Sequence, residues 1–155
     1  MSSPEKKLAE LGLTLPEPNA PVANYVNYVR SGNFLFISGQ ISKVGDEHIK
    51  GHLGKGLTVQ QGQAAARLSG LNLIAQMKHA CDGDLSRVKR VIKLGGFVQC
   101  MPTETGADVP TIINGCSDLI VAVFGEAGRH ARAAVSAPSL PLDVAVEIDA
   151  IVEVS

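Results

Sequence analysis

An arginine and a glutamate near the C-terminal end are the residues of this chain best suited to chemistry. Arg132 stands in a run of small and apolar residues, ARAAVSA, and Glu147 follows in the alternating segment VAVEIDAIVEV. A guanidinium grips a carboxylate through two parallel hydrogen bonds, and a carboxylate accepts a proton from water. The two side chains together would hold a small carboxylic acid beside an activated water molecule.

The spacing of these two residues predicts that they are neighbours. The connecting segment SAPSLPL contains two prolines and serines, which favours a tight turn near Ser139-Leu140. Strands that paired antiparallel about that turn would place Arg132 opposite Glu147, on the sheet face away from the helices. Ala134 and Ala145 would leave space above the pair. The same spacing also fits an ordinary cross-strand ion pair, which says little about function.

The remaining patterns predict the elements that position these residues. Residues that favour strands flank Ser31-Gly32-Asn33, which predicts a hairpin whose second arm covers 34–41. Thr58 and Gln61 form a capping-box pattern at the start of a long amphipathic helix that ends at 82–83. A strand over 90–101 follows, then a second helix with Asp108 as its N-cap, then two strands. This order predicts an α+β domain with two helices on one face of a mixed or antiparallel sheet.

Length and composition exclude several classes of protein. The chain has 155 residues without a change in composition, so we expect one domain. Fourteen basic and fifteen acidic residues leave a net charge of −1, which speaks against a nucleic-acid partner. The sequence predicts neither a signal peptide nor a membrane span, and three widely spaced cysteines favour a reducing cytoplasm.

Histidines outside the Arg132 region predict no metal site. His48 and His52 lie four residues apart in a polar loop over 44–56, without a further placed ligand. His130 has the same strand parity as Arg132, so it would lie at the rim of a site that contains Arg132.

Several motifs then resemble one family in their order and spacing. SGQ at 38–40, ARAAV at 131–135, LP at 140–141 and VEIDA at 146–150 are similar to the Rid (reactive intermediate deaminase) family, also called YjgF or L-PSP. The resemblance implies one domain over 21–155, after an N-terminal extension over 1–20. It implies a chorismate-mutase-like α+β fold and a homotrimer with clefts between subunits. It also implies hydrolysis of 2-imino or enamine acids to 2-oxo acids and ammonia, without a metal or organic cofactor.

The resemblance assigns a role to individual residues. Arg132 matches the arginine that binds the substrate carboxylate, and Glu147 matches the acid beside the attacking water. The remaining substrate-binding positions are Tyr25, Ser38, Gly39 and Asn114. Two positions depart from the family pattern, because Ala23-Asn24 replaces a frequent Gly-Pro and Ala134 replaces a frequent cysteine.

Two other functions remain open at this stage. A protein of the same fold would bind or sense a small carboxylate, such as a 2-oxo acid, without turnover. An endoribonuclease, the activity for which some relatives are named, is less favoured because the chain is close to neutral.

Overall fold

A five-stranded sheet with helices on one face forms the framework of the protein. The computed structural model describes residues 3–18, 20–21 and 23–155. The helices are α1 (Pro4–Glu10), α2 (Val59–Ala80) and α3 (Val109–Phe124). The main strands are β1 (Tyr28–Ser31), β2 (Phe34–Ile41), β7 (Val88–Gln99), β8 (Ala131–Ala137) and β9 (Val146–Val154), and the short ones are β3 (Lys43–Val44), β4 (Glu47–His48), β5 (His52–Leu53) and β6 (Gly56–Leu57).

The structure contains the elements that short sequence patterns predict. The predicted hairpin is confirmed, with β1 and β2 paired antiparallel around 31–34. Thr58 and Gln61 form the predicted capping box of α2, through both reciprocal hydrogen bonds. α3 begins one residue after Asp108, as predicted, although the Asp108 side chain makes no capping hydrogen bond to the described residues. The polar loop over 44–56 forms two small two-stranded ladders, which the sequence did not predict.

The apolar face of α3 is buried between α2 and the sheet. Val109–Gly128 is long and apolar enough to cross a membrane by composition, with a mean hydropathy of 1.3. Most of its apolar residues nevertheless belong to the core, although Val121 is exposed, and such burial is typical of an internal helix. Gly115 lies where α3 crosses α2, and a Cβ there would overlap the backbone of Gln63. The close crossing fixes the position of α3 over the sheet.

A third helix lies within the N-terminal extension. α1 packs against α3, and the Glu5 carboxylate accepts a hydrogen bond of 2.6 Å from the Leu85 backbone N–H. Leu8 of α1 is buried in the common core. The sequence predicted no helix here, and the domain boundary at residue 20 stays a prediction.

The pairing predicted for the last two strands is wrong. The sheet order is β1-β2-β9-β7-β8, so β7 lies between β8 and β9. β8 runs parallel to β7, with Arg132 beside Leu94. β9 runs antiparallel to both β7 and β2, with Glu147 beside Phe97 and Ile41.

The connections explain this order. α3 covers the sheet between β7 and β8, and such a crossover returns the chain in the same direction, so the two strands are parallel. The segment between β8 and β9 is not a tight turn but is bound to Gln99, at the end of β7. The Gln99 side chain accepts a hydrogen bond from Leu140 N (2.7 Å) and donates to Asp143 Oδ1 (2.7 Å) and Gly51 O (3.0 Å). β9 therefore enters the sheet on the other side of β7.

The described helices pack against only one of the two faces of the sheet. The face toward α2 and α3 includes the predicted apolar set of β9, which is buried. The other face, here called the bare face, carries apolar side chains that remain exposed in the single chain. They are Val29, Phe34, Phe36, Phe97 and Val135.

Candidate functional site

Arg132 extends toward α3 at the edge of the sheet. Its neighbour Leu94 is buried against the helices, so Arg132 lies on the helix side of β8. The guanidinium donates through Nη1 to Ser117 Oγ (3.1 Å) and through Nη2 to the Pro110 carbonyl (3.2 Å). Arg132 takes part in no ion pair with the described residues. Two neutral acceptors hold the half-buried cation, and its charge is free to attract an anion.

A shallow cleft of about 280 Å³ adjoins this guanidinium. Asn114 lies on the same cleft as Arg132. Among the described residues, no acidic side chain lines the cleft. Its lining residues are Asn114, Ser117, Val121, Arg129, His130 and Arg132. Asn114, Ser117, His130 and Arg132 are called the arginine cluster below.

Glu147 is half-buried on the bare face. A Cβ on Gly39 would overlap the Glu147 carboxylate, so the glycine of the SGQ motif provides the space that this carboxylate occupies. Burial raises the pKa of the Glu147 carboxyl above its usual range, and the charge of Asp149 raises it further. A carboxylate of raised pKa is a better proton acceptor near neutral pH than an ordinary glutamate.

Asp149 lies two residues further along β9 on the same face. Its carboxylate occupies the space above Gly95 of β7, as Glu147 does above Gly39. Burial raises the pKa of Asp149, while a hydrogen bond from Gly95 and the charge of Lys93 oppose that shift. The two carboxylates, together with Ser38 and Gly39, are called the glutamate cluster below.

Ser38 lies on β2 next to Gly39 and binds the segment before β1 that carries Tyr25. The Ser38 hydroxyl donates to the Val26 carbonyl (2.7 Å), and the Ser38 backbone N–H donates to Asn27 O (2.8 Å). These bonds fasten the segment that carries Tyr25, whose side chain is 49% exposed. Ser38 thus anchors this segment, and its hydroxyl proton is already used.

The two clusters lie on opposite faces of the sheet. A Cβ on Gly96 would contact Ile113 of α3, so this position and its partner Ala134 on β8 face the helices, as Arg132 does. Phe97, the partner of Glu147, is exposed on the bare face. The expectation that Arg132 and Glu147 stand side by side is therefore wrong, and so is the simple ion pair. Their residue types suit the chemistry, but within one chain they do not meet.

Three residues of these clusters were missed or barely considered in the sequence. Asp149 shares the face of Glu147 by simple alternation, so its influence was open to prediction. Ser117 lies one helical turn after Asn114 on α3, a spacing that places both on one side of the helix. His130 had the correct parity, but its contact with Ser117 depends on how α3 packs over β8.

Comparison with known proteins shows the relationships of the whole chain. Residues 5–154 match the family described as "YjgF/chorismate mutase-like, putative endoribonuclease". Protein TCP17 of Trypanosoma cruzi is 51% identical over 151 residues, which cover 96% of this chain and 92% of that protein. The crystal structure of Atu1372 from Agrobacterium tumefaciens has a TM-score of 0.90 at 48% identity, covering 98% of this chain and 92% of that one.

A third relative was solved with a ligand. TdcF of E. coli with bound serine has a TM-score of 0.60 at 28% identity, covering 92% of this chain and 96% of that one. The motifs, the mixed α+β fold and the match over 5–154 therefore agree. The chain belongs to the YjgF/chorismate-mutase-like family.

Proposed function

We propose that the protein is a deaminase that hydrolyses 2-imino and enamine acids to 2-oxo acids and ammonia. The observation that carries the proposal is that Arg132 has no acidic partner among the described residues and adjoins a cleft that none of their acidic side chains lines, in a chain whose Glu147 has a raised pKa. The charge of Arg132 suits the binding of a carboxylate, and the raised pKa of Glu147 suits the activation of water. The related TdcF, solved with bound serine, adds support because serine also carries a carboxylate.

A homotrimer with clefts between subunits is part of this proposal. Within one chain the arginine and glutamate clusters lie on opposite sheet faces, so a complete site needs Arg132 from one subunit and Glu147 from another. The exposed apolar side chains of the bare face favour burial against further copies of the chain. The cleft beside Arg132 is also small, about 280 Å³, as expected for part of a shared site.

The mechanism follows from these groups. Arg132 binds the substrate carboxylate and thereby fixes the imine carbon. Glu147 takes a proton from water as the water oxygen bonds to that carbon, and the electron pair of the C=N bond moves to nitrogen. Glu147 returns this proton to the nitrogen, which becomes an amino group. Glu147 then takes the proton of the newly formed hydroxyl and passes it to the amino nitrogen, so that the C–N bond breaks, ammonia leaves and the hydroxyl oxygen becomes the carbonyl oxygen. Asn114 contributes a neutral hydrogen-bonding group at the same cleft.

Ammonia release from a freshly generated 2-imino acid tests the proposal. A serine or threonine dehydratase supplies the imine, and the purified protein should accelerate ammonia release above the spontaneous rate. A protein that binds 2-oxobutanoate in calorimetry but leaves that rate unchanged is a binding or sensing protein instead. Cleavage of RNA by protein free of contaminating nuclease would support the endoribonuclease function.

The oligomeric state is tested separately. Light scattering should give the mass of a trimer, and a monodisperse monomer would contradict the shared cleft. We also propose that the protein acts in the cytoplasm, because its three cysteines are free, buried thiols, as expected in a reducing compartment.

A further inference from the structure

A continuous chain of hydrogen bonds runs from Arg132 into the backbone after α3. Arg132 Nη1 lies 3.1 Å from Ser117 Oγ, Ser117 Oγ lies 2.9 Å from His130 Nε2, and His130 Nδ1 lies 2.6 Å from the Gly128 carbonyl. Ser117 and His130 are both half-buried. Neither side chain has a role in the mechanism described above.

The Gly128 carbonyl at the end of this series determines which group is the donor in each hydrogen bond. A carbonyl only accepts, so His130 Nδ1 carries the proton and donates to Gly128. In the neutral imidazole, Nε2 is then the acceptor, and Ser117 donates its hydroxyl proton to it. The Ser117 oxygen keeps its lone pairs for the N–H of Arg132. Each donor in the series therefore has an acceptor, and all the hydrogen bonds have the same direction, from the Arg132 guanidinium to the Gly128 backbone.

The backbone that ends the chain is closely packed. A Cβ on Gly128 would overlap the carbonyl of Ile120 in α3, so the turn lies directly against the helix. Ser117 belongs to the same helix, which the crossing at Gly115 holds against α2. The second acceptor of Arg132 is the Pro110 carbonyl, in the first turn of α3. Ser117, Pro110 and Gly128 thus form a rigid frame for the guanidinium.

We propose that Ser117 and His130 are positioning residues, which hold the Arg132 guanidinium in the orientation that receives the substrate carboxylate; this proposal rests on the function proposed above. Two of the five guanidinium N–H bonds are used by Ser117 and Pro110. Three remain, which suffices for a bidentate contact with a carboxylate. An arginine oriented beforehand loses less conformational entropy on binding than a freely rotating one.

The primary test observes the guanidinium itself and requires no turnover. Nitrogen NMR of the trimer, with the Arg132 signals assigned through Arg132→Lys, reports rotation about the Nε–Cζ bond. Ser117→Ala and His130→Leu should both accelerate that rotation relative to the wild-type protein. His130→Gln keeps an acceptor near the position of Nε2 and should preserve slow rotation. Ser136→Ala, which removes an exposed hydroxyl from the same strand, is the matched control and should change nothing.

Ligand binding gives the second measurement. In calorimetry with 2-oxobutanoate, Ser117→Ala and His130→Leu should each weaken affinity about tenfold, the usual scale of one lost hydrogen bond to a charged group. The double variant should be no weaker than Ser117→Ala alone, since both changes break the same chain. In the ammonia assay, KM should rise while kcat changes little, the reverse of the pattern expected for Glu147→Gln.

Unchanged guanidinium rotation and affinity in folded Ser117→Ala and His130→Leu would overturn the proposal. Additive losses in the double variant would also overturn it, because they would mean independent contacts. A different result would contradict the deaminase function, namely that the wild-type protein does not accelerate ammonia release. In that case the NMR measurement would still decide whether Ser117 and His130 position Arg132.

Discussion

Arg132 and Glu147 lie on opposite faces of the sheet, on strands that flank β7 from its two sides. In the proposed site the two residues therefore come from different subunits. This relationship distinguishes a shared cleft from a site built by one chain, and it can be tested by mixing subunits.

Mixed oligomers of Arg132→Ala and Glu147→Gln subunits should recover activity. A cleft with Arg132 from a Glu147→Gln subunit and Glu147 from an Arg132→Ala subunit is complete, and random mixing makes such clefts about a quarter of the total. The measurement is ammonia release after co-refolding, beside each variant refolded alone. If one chain supplied both residues, every cleft would lack one of them and mixing would restore nothing.

Arg132→Lys and Glu147→Gln should fail in different ways. An ammonium keeps the charge but not the planar two-point contact, so Arg132→Lys should weaken 2-oxobutanoate binding about tenfold or more and also lower turnover. Glu147→Gln should leave binding largely in place and lower kcat by about 10²-fold, the ordinary contribution of a general base. Calorimetry and the ammonia assay separate the two effects.

Thermal stability provides the control for Glu147→Gln. Because the pKa of Glu147 is raised in the folded protein, the folded state binds a proton more tightly than the unfolded state. Stability is therefore lost as pH rises from the unfolded pKa through the folded pKa. Glu147→Gln should melt at or above the wild-type temperature at neutral pH, and the difference should shrink in acid. A lower melting temperature at neutral pH would indicate a structural role for the carboxylate.

The pH dependence of turnover should respond to Asp149. Activity that needs ionised Glu147 rises with pH through the pKa of that group, which burial and the Asp149 charge both raise. Asp149→Asn removes the like charge and should move the acid limb of the kcat profile to lower pH. Glu153→Gln, on the same strand and face but further from Glu147, is the matched control. An unshifted profile in Asp149→Asn would show that the two carboxylates are not coupled.

Gly39→Ala should disable the site without unfolding the protein. The new methyl group would overlap the end of the Glu147 side chain, which can swing aside, so the fold should survive while kcat falls. Gly95→Ala is the matched variant, because it would displace Asp149 instead. We expect circular dichroism to be unchanged in both variants and the larger loss of kcat in Gly39→Ala. Equal kcat in Gly39→Ala and the wild type would contradict a catalytic Glu147.

The thiols should be inert in the native protein. Burial raises the pKa of all three, that of Cys116 to about 12 despite the opposing charge of Arg132. Little thiolate exists at about pH 8, where an ordinary thiol is partly ionised. Mass spectrometry should find slow alkylation by iodoacetamide in the native protein, rapid alkylation after denaturation, and full activity in the treated native sample. Rapid labelling of one cysteine with loss of activity would identify a thiol at the site.

Local signals determined much of the fold. The capping box of Thr58 and Gln61, the hairpin around 31–34 and the alternation of β9 act over a few residues, so the sequence predicts them directly. The residue types at Arg132 and Glu147, together with the motifs around them, identified the family and the candidate chemistry.

The relation between the two clusters was decided by tertiary structure. Whether β8 pairs with β9 or with β7 depends on the crossover through α3 and on the side chain of Gln99, which binds residues more than 40 positions away. Alternation tells which residues share a face within one strand, but not which strand lies beside it. The contact of Ser117 with His130 likewise exists only once α3 packs over β8. Such pairings depend on burial summed over the whole core, which no short segment of the sequence contains.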